Sequence, residues 1–314
     1  MMRILVVGAG AIGGYYGARL IQAGAEVTFL VRAKRAEWLA LNGLSVSSGL
    51  GDFSGPVKTV LRDALKPEYD LILLSCKTYD LPSAMDDIAA AVGPSTGIIP
   101  FLNGLSAYDQ LDARFGRDRV LGGIAYIATM LSETGEIRHF GRDDMLVIGT
   151  RSAATAPLAA DFHTLLTTTP GARLLSPNVT QALWNKWVML ATGALMNCLM
   201  RGTIGDILAT QEGENLIKQA LAESLAVAAA EGNPLSSEDV AKIEGRLLDP
   251  QSTWAASMMR DIAQNAPRLE ADAIIGDMII RAKHHGIGVP LYRAAYCHLQ
   301  VYAHQRSAVS GVEA

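Results

Sequence analysis

The chain has 314 residues, half of them hydrophobic and 18% charged, with a formal net charge of −4 and a pI near 5.9. That length predicts two domains, and the acidic balance argues against a nucleic-acid binder, which carries a basic surplus or stripe. Mean hydropathy is +0.21, yet Gly, Asp, Arg or Lys breaks every apolar stretch short of the ~20 residues a membrane span requires.

The N-terminus runs straight into a strand, with no charged, apolar and small-residue segments in the order of a signal peptide. The three cysteines, Cys76, Cys198 and Cys297, fit neither a metal pattern nor a disulfide framework. Reduced thiols in a cytoplasmic protein are expected.

Arg3–Val7 is a continuous β-branched run ending at glycine, the mark of a strand buried on both faces of a parallel sheet. Ile12–Ala23 follows as a helix, stopped by Gly24. Val27–Val31 is the second strand and Lys34–Leu41 a short helix. Leu44–Val60, punctuated by glycines, predicts a hairpin excursion. Leu71–Ser75 and Gly97–Phe101 are further strands, separated by a helix over Leu81–Val92 with Pro82 in its first turn. Tyr108–Phe115 is helical. Val120–Ala128, Glu136–Phe140 and Met145–Ile148 predict closing antiparallel strands. Thr155–Leu166 is helical and Gly171–Leu175 a last short strand. From Thr180 to Arg306 the patterns are helical, broken at Gly202, Gly232-Asn233-Pro234, Asp249-Pro250, Pro267 and Gly288-Val289-Pro290. The alternation predicts an α/β Rossmann-type N-terminal domain, residues 1–177, and an all-α C-terminal domain, residues 178–314.

Gly8-Ala9-Gly10-Ala11-Ile12-Gly13 fits G-x-G-x-x-G and stands where that motif carries meaning, after an apolar strand and at a helix start. Gly8 permits the tight turn, Gly10 lets the backbone approach a pyrophosphate, and Gly13 lets helix and strand pack closely. The first-turn N–H groups then hold the anion. NAD binders place an acid at the end of the second strand. Here the strand ends Phe29-Leu30-Val31-Arg32, and an arginine grips a 2′-phosphate with its planar fork. NADPH is therefore the expected cofactor. Lys34 and Arg35 beyond it fit exposed bases of a helix start. Two further strand ends carry polar residues, Lys77 after Leu73-Leu74-Ser75-Cys76 and Asn103 after Ile99-Pro100-Phe101-Leu102. Ligands bind along that carboxyl edge, although loop polarity or helix capping also accounts for each.

Together these motifs resemble the ketopantoate reductases (2-dehydropantoate 2-reductases). The likeness continues through Leu183-Trp184-Asn185-Lys186, Ser257-Met258-Met259-Arg260-Asp261-Ile262, Glu270-Ala271-Asp272-Ala273-Ile274-Ile275-Gly276 and Gly286-Ile287-Gly288-Val289-Pro290, in order and over nearly the whole chain. The resemblance implies a C-terminal domain like that of 6-phosphogluconate dehydrogenase and NADPH-dependent reduction of a 2-keto acid to a 2-hydroxy acid, for the namesake enzymes a step of pantothenate biosynthesis. It also implies that Lys186 is the proton donor and Glu270 a polar anchor near cofactor and substrate. It makes Asn103 a contact to both, Lys77 and the Ala128 backbone cofactor contacts, and Ser257 a substrate contact. The chemistry agrees: the alkoxide left by hydride transfer needs a proton, and a lysine between Trp184 and Trp187 donates more readily if the indoles desolvate it. The alternative for Glu270 is a surface ion pair with Arg268, and Asp272 reads as structural.

The chain departs from the family where asparagines usually follow the catalytic lysine by one and two helical turns. Those positions are Leu190 and Ala194, and a further asparagine position is Ile204. A buried substrate hydroxyl would lack partners there, at roughly 1–3 kcal/mol for each unpaired group. Asn197, three turns after Lys186, is expected to substitute in part at the substrate, while Thr192 points elsewhere. Four readings stay open: a ketopantoate reductase, a same-family reductase of another 2-keto acid, a non-catalytic NADPH-binding sensor, and another glycine-rich dehydrogenase with a helical second domain, which more often carries an acid after the second strand. The scattered histidines, with His284 and His285 adjacent, predict no metal site. The helical half leaves room for a homodimer, and the expected ligands are small molecules.

Overall fold

The computed structural model describes residues 1–310. The chain divides into two compact units, Met1–Leu102 with Ala107–Thr180, and Asn103–Ser106 with the residues from Gln181 onward.

In the first unit, β1 (Arg3–Val7), β2 (Glu26–Leu30), β5 (Lys58–Val60), β6 (Leu71–Leu74) and β7 (Gly97–Pro100) form a parallel sheet in the order β5-β2-β1-β6-β7. β1 is buried from Ile4 on and β6 throughout, which is why both read as unbroken apolar runs. The chain leaves β1 toward β2 and returns to β6 on β1's other side, so the order reverses at β1. The crevice beyond the carboxyl ends of the strands at such a reversal is where open α/β sheets bind ligands. α1 (Ala11–Gln22) joins β1 to β2 and α3 (Leu81–Ile88) joins β6 to β7, while α2 (Ala33–Asn42) follows β2 and α4 (Ser106–Phe115) follows β7.

The expected excursion is only partly a hairpin. β3 (Leu44–Ser47) and β4 (Phe53–Gly55) pair antiparallel, but β5 returns to the parallel sheet beside β2. The closing strands do not extend that sheet. β8 (Gly122–Leu131) and β9 (Ile137–Gly149) pair antiparallel in a second sheet of order β10-β9-β3-β4, with β10 (Ala172–Leu175) at its edge. Residues 136–148, expected as two strands, belong to one long strand. Its polar middle, Gly141 to Asp143, coincides with a lapse in pairing, since the register passes from Ile127↔Asp144 to Thr129↔His139. α5 (Ala156–Leu166) lies between β9 and β10 in sequence.

A buried charge ties α1 to this second sheet. The hydroxyls of Tyr15 and Tyr16 each donate to the Asp144 carboxylate at 2.9 Å. Arg173 of β10 donates to the same two oxygens, Nη1 to Oδ1 at 2.9 Å and Nη2 to Oδ2 at 2.6 Å. The Asp144 side chain has no exposed surface. Burying a carboxylate is costly unless it is paired and its lone pairs are filled, and here four donors fill them. Burial, then the neighbouring Asp144 charge, holds the Tyr16 hydroxyl protonated well above its ordinary range.

The second unit is helical: α6 (Val179–Met200), α7 (Ile204–Leu208), α8 (Gly213–Ala230), α9 (Ser237–Leu247), α10 (Ser257–Ala263), α11 (Asp277–His284) and α12 (Pro290–Ser310). α6 is buried on every face from Trp187 to Cys198, as befits a helix hydrophobic all round. Thr192 faces a hydroxyl cluster with Ser224 (2.8 Å), which in turn meets Tyr292 at 2.5 Å. A π-helical turn, Asp272–Gly276, runs directly into α11. Among the described residues no helix is long and apolar enough to cross a membrane.

Candidate active site

The glycine turn sits at the head of a cavity of about 660 Å³ at the carboxyl edge of the parallel sheet. Gly8 has φ +92°, open to glycine and strained for other residues. A Cβ on Gly13 would lie 2.3 Å from the Gly8 carbonyl oxygen and 2.2 Å from Ser75 Oγ, so only glycine lets the first turn of α1 close on the strand. Nothing lies within 4 Å of where a Cβ on Gly8 or Gly10 would point. The turn therefore presents bare backbone to open space, and Ala11 and Ile12 begin a helix with no side-chain cap on its first N–H groups. That is a cradle for a pyrophosphate, and the residues present fit a dinucleotide.

Arg32 ends the second strand at the start of α2, exposed, and lines the cavity with Gly8, Ala9 and Gly10. Arg35 is not the free helix-start base expected from the sequence. Its Nη2 donates to the Ala9 carbonyl at 3.0 Å and its guanidinium lies 4.4 Å over the Trp38 ring. Burial lowers its pKa from the ordinary arginine value. It braces the glycine turn while lining the same cavity as Arg32, a role visible only once the chain folds, since Arg35 and Ala9 are 26 residues apart. Lys77 is half-buried and precedes a 3₁₀ turn, Thr78–Asp80. Its neighbours Cys76 and Asp80 line the cavity, and Lys77 is not among the lining residues. Ala128 is exposed on β8 at the place where pairing with β9 lapses. Such irregularities leave backbone groups out of the ladder.

The second unit gathers Lys186, Asn103 and Glu270. Lys186 Nζ donates to Asn103 Oδ1 at 3.2 Å. Asn103 is placed by Gly104, whose φ of +83° turns the chain and whose missing Cβ would stand 2.4 Å from the Ala273 carbonyl oxygen. Ala273 belongs to the π-helical turn that follows Glu270, and the next carbonyl, Ile274, accepts from Trp187 Nε1 at 3.1 Å. A single π turn inside a helix is uncommon and recurs at functional sites. Here its carbonyls meet both the loop carrying Asn103 and the residue after Lys186.

Lys186 is half-buried. Desolvation lowers its pKa to about 8, and the Glu270 charge acts in the opposite direction. Glu270 is only 6% exposed, so it lies in the interior and not at the surface. Trp184 and Trp187 are buried, their rings 5.2 Å apart. Asp272 accepts from the Tyr296 hydroxyl at 2.6 Å, a structural role as expected.

Ser257 begins α10 and is half-buried. The expectation for Asn197 is corrected. Its side chain is fully buried: Nδ2 donates to the Gly202 carbonyl at 2.8 Å and Oδ1 accepts from the Ala256 N–H at 3.0 Å. Helical spacing aligned Asn197 with Lys186, but α6 is enclosed on all sides there, so a shared face confers no shared access. Asn197 holds the residue preceding Ser257 and offers no surface to a ligand. Leu190 and Ala194 are also buried, with Leu190 9% exposed.

Residues 4–153 match the family model "Ketopantoate reductase PanE/ApbA", and residues 178–303 match its C-terminal model. The uncharacterized oxidoreductase YkpB of Bacillus subtilis is 31% identical, over 96% of this chain and 99% of its own. The 2-dehydropantoate 2-reductase of Halobacterium salinarum is 28% identical, over 93% of this chain and 96% of its own. The crystal structure of a PanE/ApbA family ketopantoate reductase from Ralstonia eutropha superposes with a TM-score of 0.87 at 26% identity, covering 98% of this chain and 100% of that one. With a Rossmann-type first unit, a helical second unit and both family models matched in order, the chain belongs to the ketopantoate reductase family of oxidoreductases.

Proposed function

We propose that this protein uses NADPH to reduce a 2-keto acid with an apolar side chain to the 2-hydroxy acid, and that Lys186 supplies the proton. The observation that carries the reading is the half-buried Lys186 ammonium, with its pKa brought to about 8 and Nζ anchored on Asn103. The glycine turn Gly8–Gly13 and Arg32 would hold the dinucleotide, whose nicotinamide would supply a hydride for the carbonyl carbon, and the negative charge then left on the oxygen falls to this chain's own residues. Lys186 hydrogen-bonds that oxygen, stabilises the growing charge and releases its proton to it. The balance is 2-keto acid, NADPH and one proton to 2-hydroxy acid and NADP⁺. A lysine of pKa about 8 remains mostly charged at pH 7 and gives up its proton more readily than an ordinary lysine near ~10.4. Asn103 orients the ammonium, and Glu270 keeps it charged. Ser257 serves as a substrate contact, and Lys77 and the Ala128 backbone as cofactor contacts.

Arg32 in place of an acid at the end of the second strand supports NADPH over NADH. Leu190, one turn beyond Lys186 and still 9% exposed, supports an apolar substrate over one whose hydroxyl needs partners. A second reading, 2-dehydropantoate itself, is favoured by the full-length likeness to the Halobacterium enzyme.

The test is NADPH oxidation followed at 340 nm with 2-dehydropantoate and a panel of aliphatic and aromatic 2-keto acids, with Lys186→Ala as control. Lys186-dependent turnover of an apolar keto acid sustains the proposal. Turnover of 2-dehydropantoate alone moves it to the second reading. NADPH binding without reduction of any panel member sinks the catalytic reading in favour of a sensor.

A further inference from the structure

We propose that Arg62 is a second determinant of cofactor choice, forming with Arg32 a two-armed clamp for the 2′-phosphate of NADPH. The inference rests on the nicotinamide reading of the glycine-turn cavity. β5 pairs with β2 in parallel, with Thr28 opposite Lys58, Phe29 opposite Thr59 and Leu30 opposite Val60. The Val31 N–H donates to the Val60 carbonyl at 3.2 Å, closing the last pair of the ladder. Two positions beyond Leu30 and Val60, the same 30-residue offset leads to Arg32, at the start of α2, and to Arg62, the first residue of a 3₁₀ turn. Adjacent strands lie about 4.8 Å apart, and each arginine follows its strand by two residues, so both leave from the same carboxyl edge of the sheet. Both line the cavity, as do Leu61 and Asp63.

Two like charges so placed repel each other, and an anion between them converts the repulsion into two attractive contacts. The place on the sheet selects which anion. The pyrophosphate belongs at the glycine turn, and the end of the second strand meets the adenosine ribose, where NADPH differs from NADH. Arg35 is committed to the Ala9 carbonyl and the Trp38 ring, so it stiffens the turn while Arg62 supplies the second arm. Arg62 is held toward α3 by Asp87 at 3.1 Å, with 62% of its side chain exposed. A pair so open to water is weak, and it can yield the guanidinium to a phosphate.

Asp63, Asp80 and Asp87 also line the cavity, so the balance between a ribose phosphate and a ribose hydroxyl is measurable. Calorimetry of the full chain with adenosine 2′,5′-bisphosphate and with 5′-AMP separates the two. The parent is expected to bind the bisphosphate at least 10-fold more tightly. Arg62→Ala is expected to weaken the bisphosphate roughly 10- to 100-fold, the worth of one charged hydrogen bond, and to leave 5′-AMP unchanged. Asp87→Asn, which frees Arg62, is expected to tighten the bisphosphate a few-fold. If Arg32→Ala weakens the bisphosphate and Arg62→Ala does not, the clamp is overturned and the NADPH reading stands. If the parent prefers 5′-AMP, the aspartates govern the ribose site and both fall. If the parent binds neither nucleotide, the glycine-turn reading itself fails.

Discussion

The indole of Trp187 donates to the carbonyl of Ile274 across 3.1 Å, joining the residue after Lys186 to the π-helical turn after Glu270. Trp187→Phe keeps most of the ring and removes the donor, leaving that carbonyl short of a partner at about 1–3 kcal/mol. A lowered kcat with cofactor affinity unchanged is expected, read by steady-state kinetics beside an NADPH titration. Equal kcat in the variant and the parent would show that the π turn places neither residue.

The Lys186 ammonium sets an alkaline limb. With its pKa at about 8, kcat/KM for reduction is expected to fall as pH rises through 8, because the acid is lost. The Glu270 charge raises that pKa, so Glu270→Gln moves the limb to lower pH. A limb that stays put in the variant would remove Glu270 from the proton's electrostatics.

The same burial has a stability signature. A folded pKa below the ordinary 10.5 means that the charged form is penalised, fully below pH 8 and less as pH rises toward 10.5. Lys186→Met is expected to abolish turnover, by roughly 10²–10⁴-fold. At pH 7 it is expected to melt higher than the parent, with the difference shrinking above pH 8. Thermal melts across pH 6–10.5 decide it, and a variant that melts lower throughout would contradict the desolvation argument.

Gly10→Ala separates folding from binding. Its φ of −90° suits any residue, and a Cβ there meets nothing within 4 Å. The melting temperature is expected to match the parent, while NADPH affinity drops at least 10-fold because the methyl occupies the pyrophosphate's approach. Unchanged affinity would mean that the dinucleotide does not cross this turn.

β1, the glycine turn and α1 were legible because one continuous run carries apolar strand, glycine spacing and helix in order. Lys186 and Glu270 became legible through the family resemblance, and the burial that lowers the Lys186 pKa was readable only as a condition on the indoles beside it. β5 was not legible: Lys58-Thr59-Val60 is a three-residue edge strand without an apolar run, so the return to the sheet was hidden, and Arg62 with it. Asp144 lies in a polar stretch that reads as surface, and only its distant partners Tyr15, Tyr16 and Arg173 make it an interior residue. The π turn leaves no periodic trace because it is one turn long. Asn197 was misplaced because a helix buried all round has no ligand-facing side to infer.

The Asp144 carboxylate is shared by Tyr15, Tyr16 and Arg173, and that sharing bears on how the family can diverge. Removing Arg173 leaves a buried carboxylate without its counter-charge, and replacing Asp144 by alanine leaves a buried arginine without its own, at about 3–5 kcal/mol. No single exchange lowers that barrier. Across relatives these four positions should be inherited as one block, kept together or replaced together by an apolar set, even where the substrate end of the molecule has drifted freely.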